Sequence, residues 1–254
     1  MDTPPFDDLL SLIADRSAAL RAAAAGPPAG ARVPCCPDWS LHDLVAHLGE
    51  VQRFWAAVVA AGPATVPPDD DSVAGRTPHG DLLAWSAEST AELIGALRAA
   101  GPDRECWTWW TASSAPDTSA AVARHQVQEA AVHARDAQEA AGRAGELPAV
   151  IATDGVAEFL TVGLGASGPW PHEPARIALR AGEGTGWLLD LGEKGAVIAA
   201  PDAGAGRLPD PAAWLAGSAS DLVLVLYGRL GLDAVQVDGD RGLVQQLIDW
   251  GPRD

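Results

Sequence analysis

The chain has 254 residues, 48% of them apolar, enough for one large domain or two small ones with real cores. Its 17 Lys and Arg against 34 Asp and Glu leave a net charge of −17, which repels nucleic acid and anionic membrane surfaces and excludes both as partners. No segment reaches the roughly 18 apolar residues of a membrane span, the start Met1-Asp-Thr-Pro-Pro lacks the basic run of a signal peptide, and three cysteines make no disulfide framework, so a cytoplasmic protein is expected.

Phe6, Leu9, Leu10, Ile13 and Leu20 recur at helical spacing over 6–25, and Gly26-Pro-Pro-Ala-Gly30 ends that helix. Val33-Pro-Cys-Cys-Pro-Asp-Trp39 reads as an extended entry segment, because each proline disfavours helix before it. Ser40 then serves as an N-cap with Asp43 as its reciprocal partner. The helix that follows buries Leu41, Leu44, Leu48, Val51, Trp55 and Val58 as one stripe, and His47 sits on its edge. Two readings stand for His47: a core histidine bonded to some carbonyl, or a ligand.

Residues 62–80 form a long loop of Gly-Pro, Pro-Pro and Asp runs. Asp81 caps a third helix with Leu82, Trp85, Leu93, Ile94 and Leu97 inward, stopped at Gly101-Pro102. The aromatic run Cys106-Trp-Thr-Trp-Trp110 connects to a helix, capped by Thr118 or Ser119, that contains Ala121 to Asp136 and is free of Gly and Pro until Gly142. On it Glu129 and His133 stand one turn apart on one face, with His125 a further turn back. A carboxylate and an imidazole at this spacing are also a common solvated pair. They grip a divalent metal only if a third ligand comes from another helix, and His47 is the candidate. Asp136, one turn beyond His133, can orient that imidazole. His125 has three readings: a further ligand, a proton shuttle or a wall. Cys36, ahead of a helix N-terminus, is an alternative nucleophile without a paired base.

A fifth helix spans about 149–164, and Gly165 to Pro174 breaks the pattern, so the expected domains are 1–166 and 173–254. Beyond the break the period changes from 3.6 to 2. Strands are expected at 176–180, 187–191, 196–200, 208–215 and 234–237, with helices at 219–230, capped by Ser218, and 241–250. Gly182-x-Gly-x-Gly186 lies between strands and is no dinucleotide fingerprint. The expected class is α+β with two domains.

Three stretches in order carry a resemblance. Val33 to His47 holds a Pro–x–Cys–Pro–x–Trp turn running into a helix with a histidine. Trp107-Thr-Trp is followed by Glu129-Ala-Ala-Val-His133, Asp136 and Gly142. Gly217 to Arg229, with Asp221, Leu222 and Gly228-Arg229, is followed by Gly239-Asp240. Together they resemble the mycothiol-dependent maleylpyruvate isomerases over nearly the whole chain. The resemblance implies a DinB-like four-helix bundle, then a small α+β domain similar to sterol-carrier-protein modules. It implies a divalent metal, usually zinc, on His47, Glu129 and His133, and mycothiol or a related thiol as cosubstrate. It gives Arg229 the task of holding an anionic substrate; the bare sequence equally allows a surface residue at a helix C-terminus. His125 and Arg135 depart from the family pattern, which has an arginine and a tryptophan there.

Two imidazoles and a carboxylate leave one position of a tetrahedral zinc shell open to water or a thiol, and a metal-held thiol is a thiolate. The expected partners are a small-molecule thiol and a small electrophile, and the expected assembly is a monomer or homodimer. S-transfer and thiol-assisted isomerisation share the ligand set. A maleyl diacid wants two or more arginines, and the bundle offers only Arg53, Arg124 and Arg135 near the ligands, which favours transfer. A non-catalytic binding module is the alternative class, and hydrolysis by a metal-bound water lacks the H-E-x-x-H carboxylate.

Overall fold

The computed structural model describes residues 3–198 and 210–252. The architecture is α+β in two compact units, the first of residues 4–108 and 116–147, the second of 109–115 and 148 onward.

In the first unit α1 (Phe6–Ala24) leads to a hairpin of β1 (Arg32–Val33) and β2 (Cys36–Ser40), then α2 (Leu41–Ala61), α3 (Leu82–Ala100) and α4 (Ser119–Ala140). The four helices make a bundle in which α2 packs on α3 and α1 on α4. The proline-bearing entry segment is more ordered than its sequence suggests: β1 and β2 pair antiparallel with a register shift at Arg32/Val33. Ser40 ends that hairpin and starts α2. Its Oγ accepts from Asp43 N at 3.2 Å while its own N–H donates to Asp43 Oδ2 at 2.9 Å, a reciprocal cap that fixes where α2 begins. Thr118 is the cap of α4, and its Oγ1 accepts from Ala121 N.

The core beside this hairpin joins Leu20, Val33, Leu41, Leu44 and Leu48 to Ala130, Ala134 and Ala137. The alanines matter because small residues let helix axes approach at the short end of the usual range of about 8–10 Å, so side chains on the rims of α2 and α4 can meet. Gly49 serves the other side of α2. A Cβ there would run into the Trp85 ring of α3.

The second unit holds α5 (Ala149–Glu158), a π-turn over Phe159–Gly163 and a last turn α6 (Leu164–Ala166). It continues with β3 (Ala175–Ala181), β4 (Gly186–Gly192), β5 (Gly195–Ile198), β6 (Ala213–Gly217), α7 (Ala219–Leu226), β7 (Gln236–Gly239) and α8 (Arg241–Trp250). The sheet order is β5-β4-β3-β6-β7, with β3 and β6 parallel and the other pairs antiparallel. Helices α7 and α8 pack on β6.

Several expectations need correction. The break expected at 165–174 does not part the units, since α5 packs on α7 and so joins the C-terminal one. The helix expected over 149–164 widens into the π-turn, where a Cβ on Gly163 would press on the Pro252 ring at 3.1 Å. Contrary to the reading that no segment is apolar enough to span a membrane, Ala149–Ala166 passes by length and composition, with mean hydropathy 1.4. It is 61% buried within the protein, which is how a core helix meets the same test. The strand expected at 234–237 starts at Gln236, because Leu232–Ala234 first make a 3-10 turn. Helix 219–230 stops at Leu226, and Gly228, with φ 70°, turns the chain. Of the expected strands 196–200 and 208–215, residues 199, 200, 208 and 209 lie outside the described residues.

Candidate metal centre

Helices α2 and α4 bring three donors to one point. His47 Nε2 lies 3.2 Å from Glu129 Oε1, and His133 Nε2 lies 3.3 Å from the same oxygen. The donor atoms all fall within 4.8 Å of one another. The two imidazoles are edge-on, with centroids 5.1 Å apart. His47 is about a third exposed, Glu129 less so, and His133 is 1% exposed, so the group opens to solvent on the His47 side.

Local sequence explains the placement. The Ser40 cap fixes the start of α2, Leu44 and Leu48 point to the core, and His47 between them is left on the rim facing α4. On α4 the i, i+4 spacing stacks Glu129 and His133, and Ala130 and Ala134 beside them hold that face against the core.

Asp136, fully buried, holds His133 from behind: Oδ2 accepts from the Nδ1–H at 3.1 Å. That leaves Nε2 of the neutral ring as an acceptor-type lone pair. Among the described residues this buried Nε2 makes no hydrogen bond; the polar atom beside it is Glu129 Oε1 at 3.3 Å, an ion-pair contact when the ring is charged. A buried nitrogen with no partner costs free energy unless something fills its place, and a divalent metal between two imidazoles and a carboxylate meets that need. The donor set therefore fits a metal.

The electrostatics agree. Burial pulls the His133 pKa down, but the Glu129 and Asp136 carboxylates outweigh it and hold the imidazole at about 10. Burial pushes Glu129 up, and the two histidines overcome that and hold its carboxyl well below the usual range. Without a metal, the carboxylates keep a proton on His133; a cation at the same place answers the same charges.

Two neighbours went unread in the sequence. Trp39 lies against both imidazoles, its ring 4.6 Å from that of His47 and 6.2 Å from that of His133. The signal available was its place just before the N-cap, where an apolar residue folds back over the first helical turn. Cys35 Sγ donates to Asp136 Oδ1 at 3.1 Å, a contact between residues 101 apart that no local pattern marks.

The other candidates sit elsewhere. His125 packs edge-on to Trp55 at 6.0 Å and is outside the ligand group. Arg229 belongs to the second unit, where it follows Gly228 and donates to the Tyr227 carbonyl at 3.0 Å. Cys36 is half-buried in β2, and Cys106 is buried, its thiol pushed up to about 11 by desolvation and by Asp117.

The family model described as Mycothiol maleylpyruvate isomerase N-terminal domain matches residues 10–138, and the one described as MDMPI C-terminal domain matches residues 150–246. Two crystal structures, of the mycothiol-dependent maleylpyruvate isomerase and of a histidine-to-alanine mutant of it, resemble the chain with TM-scores of 0.65 and 0.64. Each likeness covers 100% of both chains, at 17% and 16% identity, and is one of fold. No curated protein matches the chain. With its two matched regions spanning both compact units, the chain belongs to the mycothiol maleylpyruvate isomerase family.

Proposed function

We propose that this protein is a metal-dependent enzyme that uses a low-molecular-weight thiol of the mycothiol type on a small electrophile. His47, Glu129 and His133 would hold one divalent metal, zinc by the chemistry of two imidazoles and a carboxylate. The observation that carries the reading is the buried Nε2 of His133, without a hydrogen bond and aimed at the point where His47 and Glu129 also present their donors.

When bound, the metal supplies a Lewis acid that keeps an incoming thiol as thiolate, where the free group has a pKa near about 8.5. The chain's own residues do the rest. Asp136 fixes the tautomer of His133 so that Nε2 presents its lone pair. Glu129 supplies the negative charge that favours a cation between the rings. Trp39 lies against both imidazoles, nearer to that of His47. His125, set against Trp55, is assigned the role of a wall.

S-transfer is favoured over isomerisation of a maleyl diacid. Arg53 is tied to Glu92 at 2.6 Å and to Ser89 at 2.8 Å, and Arg135 to Glu139, so two of the bundle's three candidate arginines already face carboxylates. A doubly charged substrate would find few free cations there. An anion-holding role for Arg229 rests on the family resemblance.

Metal analysis of the purified protein and of His47→Ala and His133→Ala is the direct test. The wild type is expected to carry about one equivalent of metal on these three ligands, and each variant is expected to hold about one equivalent less than the wild type; a metal content equal to the wild type's in both variants overturns the reading. Thiol plus maleylpyruvate, assayed with the wild type and Arg229→Ala, separates the two reactions. Rapid conversion to the trans product would reverse the preference for transfer, and a raised KM in the variant would assign the anion to Arg229.

A further inference from the structure

We propose that Cys35, Cys36 and Asp136 form a second cation site, selective for thiophilic ions, beside the first ligand group. The donor atoms of these three residues lie within 4.8 Å of one another, a separation that a single ion can span. Two sulfurs and one carboxylate oxygen are a soft donor set, suited to cadmium, zinc or copper(I) and poorly suited to magnesium or calcium. Both cysteines are half-buried, so a small ion can reach them, whereas Cys106 is buried and does not join the cluster.

The bland account is that the two thiols are small apolar side chains packed on the core that contains Leu41 and Leu44. That account explains their partial burial but not the direction of Cys35, whose S–H points at a fully buried carboxylate 3.1 Å away. Adjacent cysteines in a strand would ordinarily face opposite sides. Here Cys35 lies in the turn before β2 and Cys36 opens the strand, so the pleat does not separate their sulfurs.

Binding involves no change of oxidation state. The ion forms two metal–sulfur bonds and one metal–oxygen bond, and the two S–H protons leave to solvent. Because Asp136 offers Oδ1 to Cys35 and Oδ2 to His133, an ion here would bind the carboxylate that also orients a ligand of the first group.

Cadmium titration of the reduced full-length protein tests this, read by near-ultraviolet sulfur-to-cadmium charge-transfer absorption. The band is expected in the wild type and, undiminished, in His47→Ala, since that variant disables only the first group. It is expected to fall at least severalfold in Cys35→Ser and in Cys36→Ser. A wild-type band in either serine variant, or none in the wild type, overturns the site. A second readout needs no variant: cadmium should shield Cys35 and Cys36 of the wild type from alkylation, located by peptide mass. Unchanged alkylation at both overturns the proposal even if the serine variants fail to fold.

Discussion

Asp136 makes two bonds at once, one to the imidazole of His133 and one to the thiol of Cys35, with no exposed surface of its own. Replacing it by Asn leaves one acceptor oxygen where there were two, so the His133 ring loses its fixed tautomer or the thiol loses its acceptor. Metal affinity of Asp136→Asn is expected to drop roughly 10–100-fold, measured by chelator competition; an unchanged affinity would mean that His133 is oriented by something else. The same charges set a pH dependence in the metal-free protein. His133 is held at about 10 against an ordinary 6.5, so its contribution to stability is complete below about pH 6.5 and disappears as pH rises through 10. Glu129 is held below its ordinary 4.5, so its contribution is present above that value and lost on acidification. Thermal midpoints of metal-free protein should therefore decline from pH 6.5 towards 10, and metal loading, which takes the proton's place, should flatten that limb. At this scale the i, i+4 spacing of Glu129 and His133 and the rim position of His47 are legible in the sequence. Trp39 and Cys35 are not, because they reach the centre through a hairpin whose pairing a proline-bearing segment does not advertise.

The register of α2 decides where His47 points, and two sequence features set it. The Ser40–Asp43 cap gives the starting residue, and that cap is readable from four letters. Gly49 gives the closeness of α2 to α3, and nothing in the local pattern marks it, since its reason is the Trp85 ring in another helix. Gly49→Ala should raise helix propensity by about 1 kcal/mol, yet the protein should lose about 1–3 kcal/mol through the forced collision. A chemical melt decides between the two signs, and metal content of the folded variant reports whether α2 has moved His47. The π-turn after α5 was invisible for a related reason: an apolar run reads as one uninterrupted helix, and only the packing at Gly163 and Gly165 shows where it widens.

For the molecule as a whole, the change of hydrophobic period from 3.6 to 2 marked the passage from helices to sheet, and the α+β class followed from it. The division into units was harder to read. Gly and Pro at 165–174 look like a linker, but the parting falls at Pro148, and α5 belongs with α7 because their apolar faces cover each other. Among ten tryptophans spread over both units, Trp39 leans on the two imidazoles of the ligand group. A protonated imidazole quenches indole fluorescence, and metal-free His133 keeps its proton through neutral pH. If a metal occupies the proposed centre, its entry is expected to brighten the emission, and Trp39→Phe to silence the change; equal emission with and without added zinc would sever that link.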